Sequence, residues 1–284
     1  MTTVGVVLAA ARTRLPAAEG RLLLGHVLHR PTAWLLANDD RVLDEAQRDQ
    51  FAMLVARRRG GEPIAYLTGS REFYGREFAV APGTLIPRPE TELLVEIAKA
   101  RVSPGGTAPS RCRVLDLGTG SGCVAISLAL ECRHAEVVAI DRSTAALEIA
   151  RRNASRHHAQ VDFRQGDWLA GLGDLRFDLV ASNPPYIAEG DPHLAQGDLR
   201  SEPREALASG ADGLDAIRHI VDTAPRHLLP GGWLFFEHGY DQARAVADLL
   251  KTAGYSLIEQ HCDLAGIVRV SGGRWGLAGQ TASD

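Results

Sequence analysis

The spacing of apolar residues changes twice along the chain, and each change marks a different kind of structure. Up to about Gly60 the period is helical. Val4 to Ala11 is a short apolar stretch with no basic residue before it, so it reads as a first helix rather than a secretory signal. Leu22, Leu23, Val27 and Leu28 recur at helical spacing after Pro16, a residue suited to a first turn. A second amphipathic stretch runs from about Leu43 to Arg59, with Phe51, Leu54 and Val55 on one side, and stops at Gly60-Gly61. Between Tyr66 and Pro89 the pattern predicts a β-hairpin, built on Phe73, Phe78 and Val80 and punctuated by Gly75 and Gly83. The rigid stretch Leu85 to Glu92, a helix over about Glu90 to Arg101 and a Ser/Pro/Gly-rich loop from Ser103 to Ser110 follow.

From Arg113 onward, short apolar strands alternate with helices. Strands are expected at Val114–Leu117, Val137–Asp141, Phe177–Ser182 and Trp233–Glu237, and helices at Cys123–Leu130 and Thr144–Arg156. Near-continuous apolar strands separated by helices predict a mostly parallel sheet covered on both faces, an α/β fold.

Composition narrows the picture. With 45% hydrophobic and 23% charged residues, the 284-residue chain has material for a packed core, which excludes disorder, collagen and coiled coil. A net charge of -4 argues against gripping a polyphosphate backbone as the main task, although a local basic patch stays open. No apolar run approaches the roughly 18 residues of a membrane span. Cys112, Cys123, Cys132 and Cys262 lack CxxC spacing and are expected to be free thiols in a reducing cytosol.

The first candidate chemistry lies in Asp116-Leu117-Gly118-Thr119-Gly120-Ser121-Gly122, which joins a strand to a helix. Glycines there allow a tight turn and close approach of backbone to a ligand. The dinucleotide fingerprint would need glycine where Cys123 stands, and no lysine makes a phosphate loop. Asp141 ends the next strand, where an acid commonly takes a ribose diol; the alternative is a residue at the start of the next helix. Asp116 either orients the loop backbone or meets a cationic amino group. Asp167-Trp168 suits an adenine pocket, the ring stacking and the carboxylate accepting from the exocyclic amine. Together these residues fit S-adenosylmethionine better than a nicotinamide dinucleotide.

The second is Asn183-Pro184-Pro185-Tyr186, at the carboxyl end of a strand, where ligands of open α/β sheets sit. Prolines fix φ and remove N–H donors, freeing the Pro184 carbonyl to face a site. That carbonyl and the Asn183 amide oxygen make two neighbouring acceptors, the requirement of a planar NH2 group. Tyr186 can lay its ring against the group so held. Holding both N–H bonds turns a delocalised lone pair toward a sulfonium methyl and stabilises the charge that develops on nitrogen.

Other chemistries fit poorly. Gly120-Ser121-Gly122 approaches a nucleophile elbow, but Thr119 stands where GxSxG needs glycine. The histidines form neither HExxH nor a Cys/His cluster, so no metal is expected. Arg57-Arg58-Arg59 reads as a solvated helix end, with steering of an RNA-associated partner as the alternative.

Taken together, the sequence resembles the HemK/PrmC family, the protein-(glutamine-N5) methyltransferases of peptide chain release factors. The resemblance covers nearly the whole chain: Leu85 to Glu92, Asp116 to Gly122, Asp141, Asn183 to Tyr186, Ile187 to Pro203, and Glu237-His238-Gly239. The tetrad alone would also suit adenine-N6 or guanine-N2 nucleic acid methyltransferases; its combination with Leu-Ile-Pro-Arg-Pro-Glu-Thr-Glu is specific. One stretch, Asp263 to Arg269, departs from the family pattern, being apolar where polar residues are usual.

The resemblance implies a small N-terminal helical domain (1–65), a β-hairpin linker (66–89) and a Rossmann-like class I methyltransferase domain (90–276). It implies that Asp116, Gly118, Thr119, Gly120, Ser121, Gly122, Asp141, Asp167, Trp168 and Asn183 hold S-adenosylmethionine, released as S-adenosylhomocysteine. Asn183, Pro184, Pro185 and Tyr186 would hold the glutamine of a Gly-Gly-Gln loop, with Arg88 bordering the pocket. Of these, Asn183, Pro184 and Tyr186 are the expected catalytic residues. The expected partner is a class-1 release factor, met by a cytoplasmic monomer with no need of nucleic acid or membrane. A nucleic acid amine methyltransferase and a non-catalytic binding module are the competing readings.

Overall fold

The computed structural model describes residues 2–102 and 112–276. The loop expected over Ser103 to Ser110 lies outside them. The chain divides into two compact units, Met1–Ser70 with Ala195–Ser201, and Arg71–Leu194 with Glu202–Asp284.

The first unit is helical: α1 (Val4–Ala11), α2 (Ala17–Leu28), α3 (Thr32–Ala37), α4 (Glu45–Arg59) and α5 (Ile64–Thr68). The Thr3 hydroxyl accepts from the Val6 amide at the start of α1, and a reciprocal Asp44–Gln47 capping box opens α4. Leu23, Leu24, Val27, Phe51, Leu54 and Val55 meet in its core. Of the stripe expected on α2, Leu23 and Val27 are buried and Leu28 packs on the core, but Leu22 is 48% exposed and Leu24 is buried instead. Tyr66 belongs to α5, so the hairpin begins later than the sequence suggests.

In the second unit a two-stranded hairpin of β1 (Ser70–Phe73) and β2 (Arg76–Ala79) precedes α6 (Glu92–Val102). The main sheet comprises β3 (Cys112–Leu117), β4 (Ala135–Asp141), β5 (Asp162–Gln165), β6 (Phe177–Ser182), β7 (Leu228–Glu237), β8 (Ser256–Cys262) and β9 (Val268–Arg274). Their order is β5-β4-β3-β6-β7-β9-β8, parallel except for β9, which runs antiparallel to both neighbours. Between them stand α7 (Cys123–Glu131), α8 (Thr144–His157), α9 (Asp215–Thr223) and α10 (Ala243–Thr252). Successive strand residues alternate between faces. Val114 and Ala139 join the core that also holds residues of α6 and α7, while Leu115, Leu117 and Ile140 join the one that holds residues of α9 and α10. Strand order reverses between β3 and β6, with β4 and β5 on one side and β7 on the other. That reversal opens a crevice at the carboxyl ends of the strands.

Asn153, fully buried on α8, ties the hairpin to this end of the sheet. Its side chain exchanges two hydrogen bonds with the Ala79 backbone (2.7 and 3.0 Å) and donates to the Ser121 carbonyl at 2.8 Å. No helix among the described residues is long and apolar enough to cross a membrane.

Candidate active site

The crevice holds a cavity of about 620 Å³. Gly118, Gly120, Asp141, Asp167, Trp168, Asn183, Pro184 and Pro185 all line it, so segments expected to hold a donor and an acceptor share one space. The loop after β3 is shaped from behind. Gly118 and Thr119 amides both donate to the Ile140 carbonyl at 2.9 Å. Gly118 and Gly120 take φ values of +72° and +56°, and an added Cβ at either position would find open space. The loop backbone is therefore bare toward the cavity, a cradle that a group can approach closely. At Gly122 (φ +82°) the reason for glycine is different: a Cβ would lie 2.9 Å from the Ile126 side chain.

Asp116 does not line the cavity. It is buried beneath the loop, and its Oδ2 accepts from the Thr119 hydroxyl at 2.7 Å and the Ala125 amide at 3.1 Å. Of its two readings, orienting the loop is the one this geometry supplies. Burial pushes its carboxyl up to about 6, against the pull of those two donors. Below that value the carboxylate gains a proton and loses acceptor capacity. Affinity for the loop's ligand is therefore expected to weaken as pH falls through about 6. Binding titrations of the wild type and Asp116→Asn check this, since only the wild type should change with pH. Thr119 and Ser121 are buried too, and with Gly122 they lie off the cavity wall.

Asp141 ties the glycine loop to the start of the next helix. Its Oδ2 accepts from the Gly120 amide and its Oδ1 from the Ser143 amide, both at 2.8 Å, while Ser143 caps α8. The same carboxylate faces the cavity with lone pairs to spare. Trp168 takes φ +52°, a left-handed conformation uncommon for a bulky residue, and its ring lies 6.2 Å from that of His219.

Asn183 follows β6 directly. Its Nδ2 donates to the Thr91 hydroxyl at 3.0 Å, and Thr91 donates to Glu237 Oε2 at 2.6 Å. Tyr186 donates from its hydroxyl to Glu237 Oε1 at 3.0 Å. Thr91 and Glu237 are 2% and 1% exposed. Burial holds the Tyr186 phenol well above its ordinary value, and the Glu237 carboxylate adds to this. It stays a neutral donor. Tyr186 does not line the cavity, contrary to its expected place against the substrate's planar group; Glu237 holds its hydroxyl and its ring packs toward the core. Arg88 is likewise off the wall, paired with the buried Glu202, whose other oxygen accepts from the Ile86 amide at 2.9 Å.

Several residues the sequence left without a role belong to this region. Glu189, Arg204, Ser209 and His219 line the cavity, while Thr91, Asn153, Glu202 and Glu237 brace its walls. Thr91, Glu202 and Glu237 stand within stretches that carry the family resemblance, which was the available signal.

Comparison with known proteins agrees with this geometry. Residues 5–69 match the PrmC N-terminal domain and residues 90–212 the methyltransferase small domain. A methyltransferase from Pyrococcus furiosus superposes with a TM-score of 0.54 at 18% identity, covering 72% of this chain and 91% of that one. Fold and site together define a Rossmann-like class I methyltransferase. The release factor glutamine methyltransferases of Bordetella pertussis and Burkholderia pseudomallei are both 53% identical to it, over 260 and 267 residues. Those alignments span 91% and 92% of this chain and 95% and 92% of theirs. The chain belongs to the release factor glutamine methyltransferase family and is a methyltransferase.

Proposed function

We propose that this enzyme transfers a methyl group from S-adenosylmethionine to the side-chain amide nitrogen of the Gly-Gly-Gln glutamine of a peptide chain release factor. Asn183 carries this reading. It lies in the glycine-loop cavity, its Nδ2 is engaged by Thr91, and its Oδ1 has no protein partner among the described residues. An amide oxygen left open beside a cofactor cradle is an acceptor for an N–H bond of the substrate.

The bare backbone of Gly118 and Gly120 and the Asp141 carboxylate suit the cofactor, with Asp167 and Trp168 at the adenine end. When bound, the cofactor supplies an electrophilic methyl on a sulfonium. Asn183 Oδ1 and the Pro184 carbonyl hold the two N–H bonds of the glutamine amide, and Pro185 shapes the same wall. Held this way, the glutamine nitrogen would present its lone pair to the methyl that a bound S-adenosylmethionine would supply, with S-adenosylhomocysteine as the leaving product. The two oxygens offset the positive charge that grows on nitrogen, and a proton leaves that nitrogen afterwards. No strong base is required before attack. Tyr186 serves through Glu237, and Arg88 keeps the rim in place through Glu202. The enzyme acts as a cytoplasmic monomer on a protein, without nucleic acid.

Incubation with methyl-labelled cofactor and either a release factor or nucleic acid tests the reading. Label is expected on the release factor and absent when its Gly-Gly-Gln glutamine is replaced. Label on DNA or RNA alone would overturn the substrate, and label on neither would leave a binding module.

A further inference from the structure

We propose that Thr91 and Glu237 are positioning residues for methyl transfer: the buried Glu237 carboxylate orients the Thr91 hydroxyl, which holds the Asn183 amide with its oxygen toward the substrate. The inference rests on the reading of Asn183 given above. It follows from counting protons. Two hydroxyls, those of Thr91 and Tyr186, approach the two oxygens of Glu237 at 2.6 and 3.0 Å. An ionised carboxylate only accepts, so both hydroxyls must donate to it. The single hydroxyl proton of Thr91 is thereby committed, and its oxygen can only accept from Asn183 Nδ2, 3.0 Å away. Were the amide flipped, two oxygens would face each other without a proton between them. The cost of an unmade bond is high in a place where Thr91 and Glu237 are both almost fully buried. A planar amide whose nitrogen is fixed must present its oxygen on the other side, where Asn183 meets the cavity.

The wiring reaches across the fold. Thr91 closes the short turn Pro89–Thr91 that precedes α6, Glu237 ends β7 and Asn183 follows β6. The network therefore fixes one side chain from two separate elements, as a site needing a single amide orientation requires.

The ionised form of Glu237 is what gives the network its direction. Burial raises its carboxyl above the ordinary glutamate value, Glu90 adds to this, and the two hydroxyls and Arg269 oppose it. The Cys123 thiol, itself raised to about 12 chiefly by burial, also feels the Glu237 charge and stays neutral. Protonation of Glu237 would free one hydroxyl to turn round, so turnover should rise with pH as this group ionises.

The test compares Thr91→Val, Thr91→Ser, Glu237→Gln and Asn183→Ala. It measures kcat and KM on a release factor, affinity for S-adenosylmethionine, and thermal melting. Thr91→Val is expected to lower kcat by roughly 10- to 100-fold, as loss of one oriented polar group in a reacting site does. Its cofactor affinity should stay at the wild-type level, and Thr91→Ser should restore most of the rate. Glu237→Gln removes the titrating group, so the acid limb should disappear; its Nε2 must donate to one of the two hydroxyls, and kcat should fall to the extent that this hydroxyl is Thr91. Wild-type kcat in Thr91→Val beside an inactive Asn183→Ala would overturn the positioning role alone. Loss of cofactor affinity in step with kcat, or a rate unrecovered by serine, would make Thr91 merely structural and overturn it as well. An Asn183→Ala variant that still methylates glutamine would overturn the proposed function and this inference with it.

Discussion

Asn183→Ala is expected to lower kcat by roughly 10²- to 10³-fold, the usual consequence of removing one group that stabilises charge at the reacting atom. Its affinity for the methyl donor should change little. The loop that shapes the donor side is held by Asp116, Ile140 and Asp141, none of which bonds to Asn183. Truncation also leaves the Thr91 oxygen without its donor, so the loss combines a missing acceptor with a disturbed wall. Asn183→Asp is expected to fare little better. It brings a carboxylate against Thr91, whose proton already belongs to Glu237, and places two negative groups on one hydroxyl. Steady-state turnover on a release factor, paired with equilibrium binding of the donor, checks both variants. A kcat within a few-fold of wild type in Asn183→Ala would remove the residue from its role.

The sequence points to this side chain because it stands at the carboxyl end of an apolar strand beside two prolines. How it is held is not legible there. Thr91 lies 92 residues before Asn183, and Glu237 lies 146 residues after Thr91, so no local spacing pairs them. The pairing of β6 with β7 brings Asn183 and Glu237 side by side, and the turn before α6 adds Thr91. The central strands were readable for the opposite reason: burial on both faces makes them continuous apolar runs, and β6 (Phe177–Ser182) has the bounds its sequence suggests. The helices α3 and α5, with six and five residues, are too short for any period to emerge. On α2, three successive leucines leave the buried face undecided, and packing selects Leu23 and Leu24 while turning Leu22 outward. The atypical stretch from Asp263 is a tight turn between β8 and β9, in which Asp263 Oδ1 accepts from Ala265 and Ile267 at 2.9 and 3.0 Å. Leu264 is fully exposed at its tip, which explains why an apolar residue there disturbs nothing in the core.

Asp141→Ala should fail at the opposite step from Asn183→Ala, in binding rather than turnover. Its carboxylate is the shared acceptor for the Gly120 and Ser143 amides, so it closes the glycine loop onto the start of α8 while still facing the cavity. Hydrogen bonds to a charged group are worth about 1.5–3 kcal/mol each, and alanine removes two together with the acceptor proposed for the ribose. Affinity for S-adenosylmethionine is expected to drop by roughly 10²-fold or more, since each 1.4 kcal/mol is a factor of ten. Asp141→Asn should fall between: one oxygen still accepts, but its NH2 group must face an amide donor. At saturating cofactor both variants should keep most of their kcat, because the Asn183–Thr91–Glu237 wiring does not pass through Asp141. Donor binding measured beside kcat decides the matter. Unchanged affinity in Asp141→Ala would mean that the glycine loop needs no carboxylate to hold its shape, and the cofactor would have to be seated by other residues.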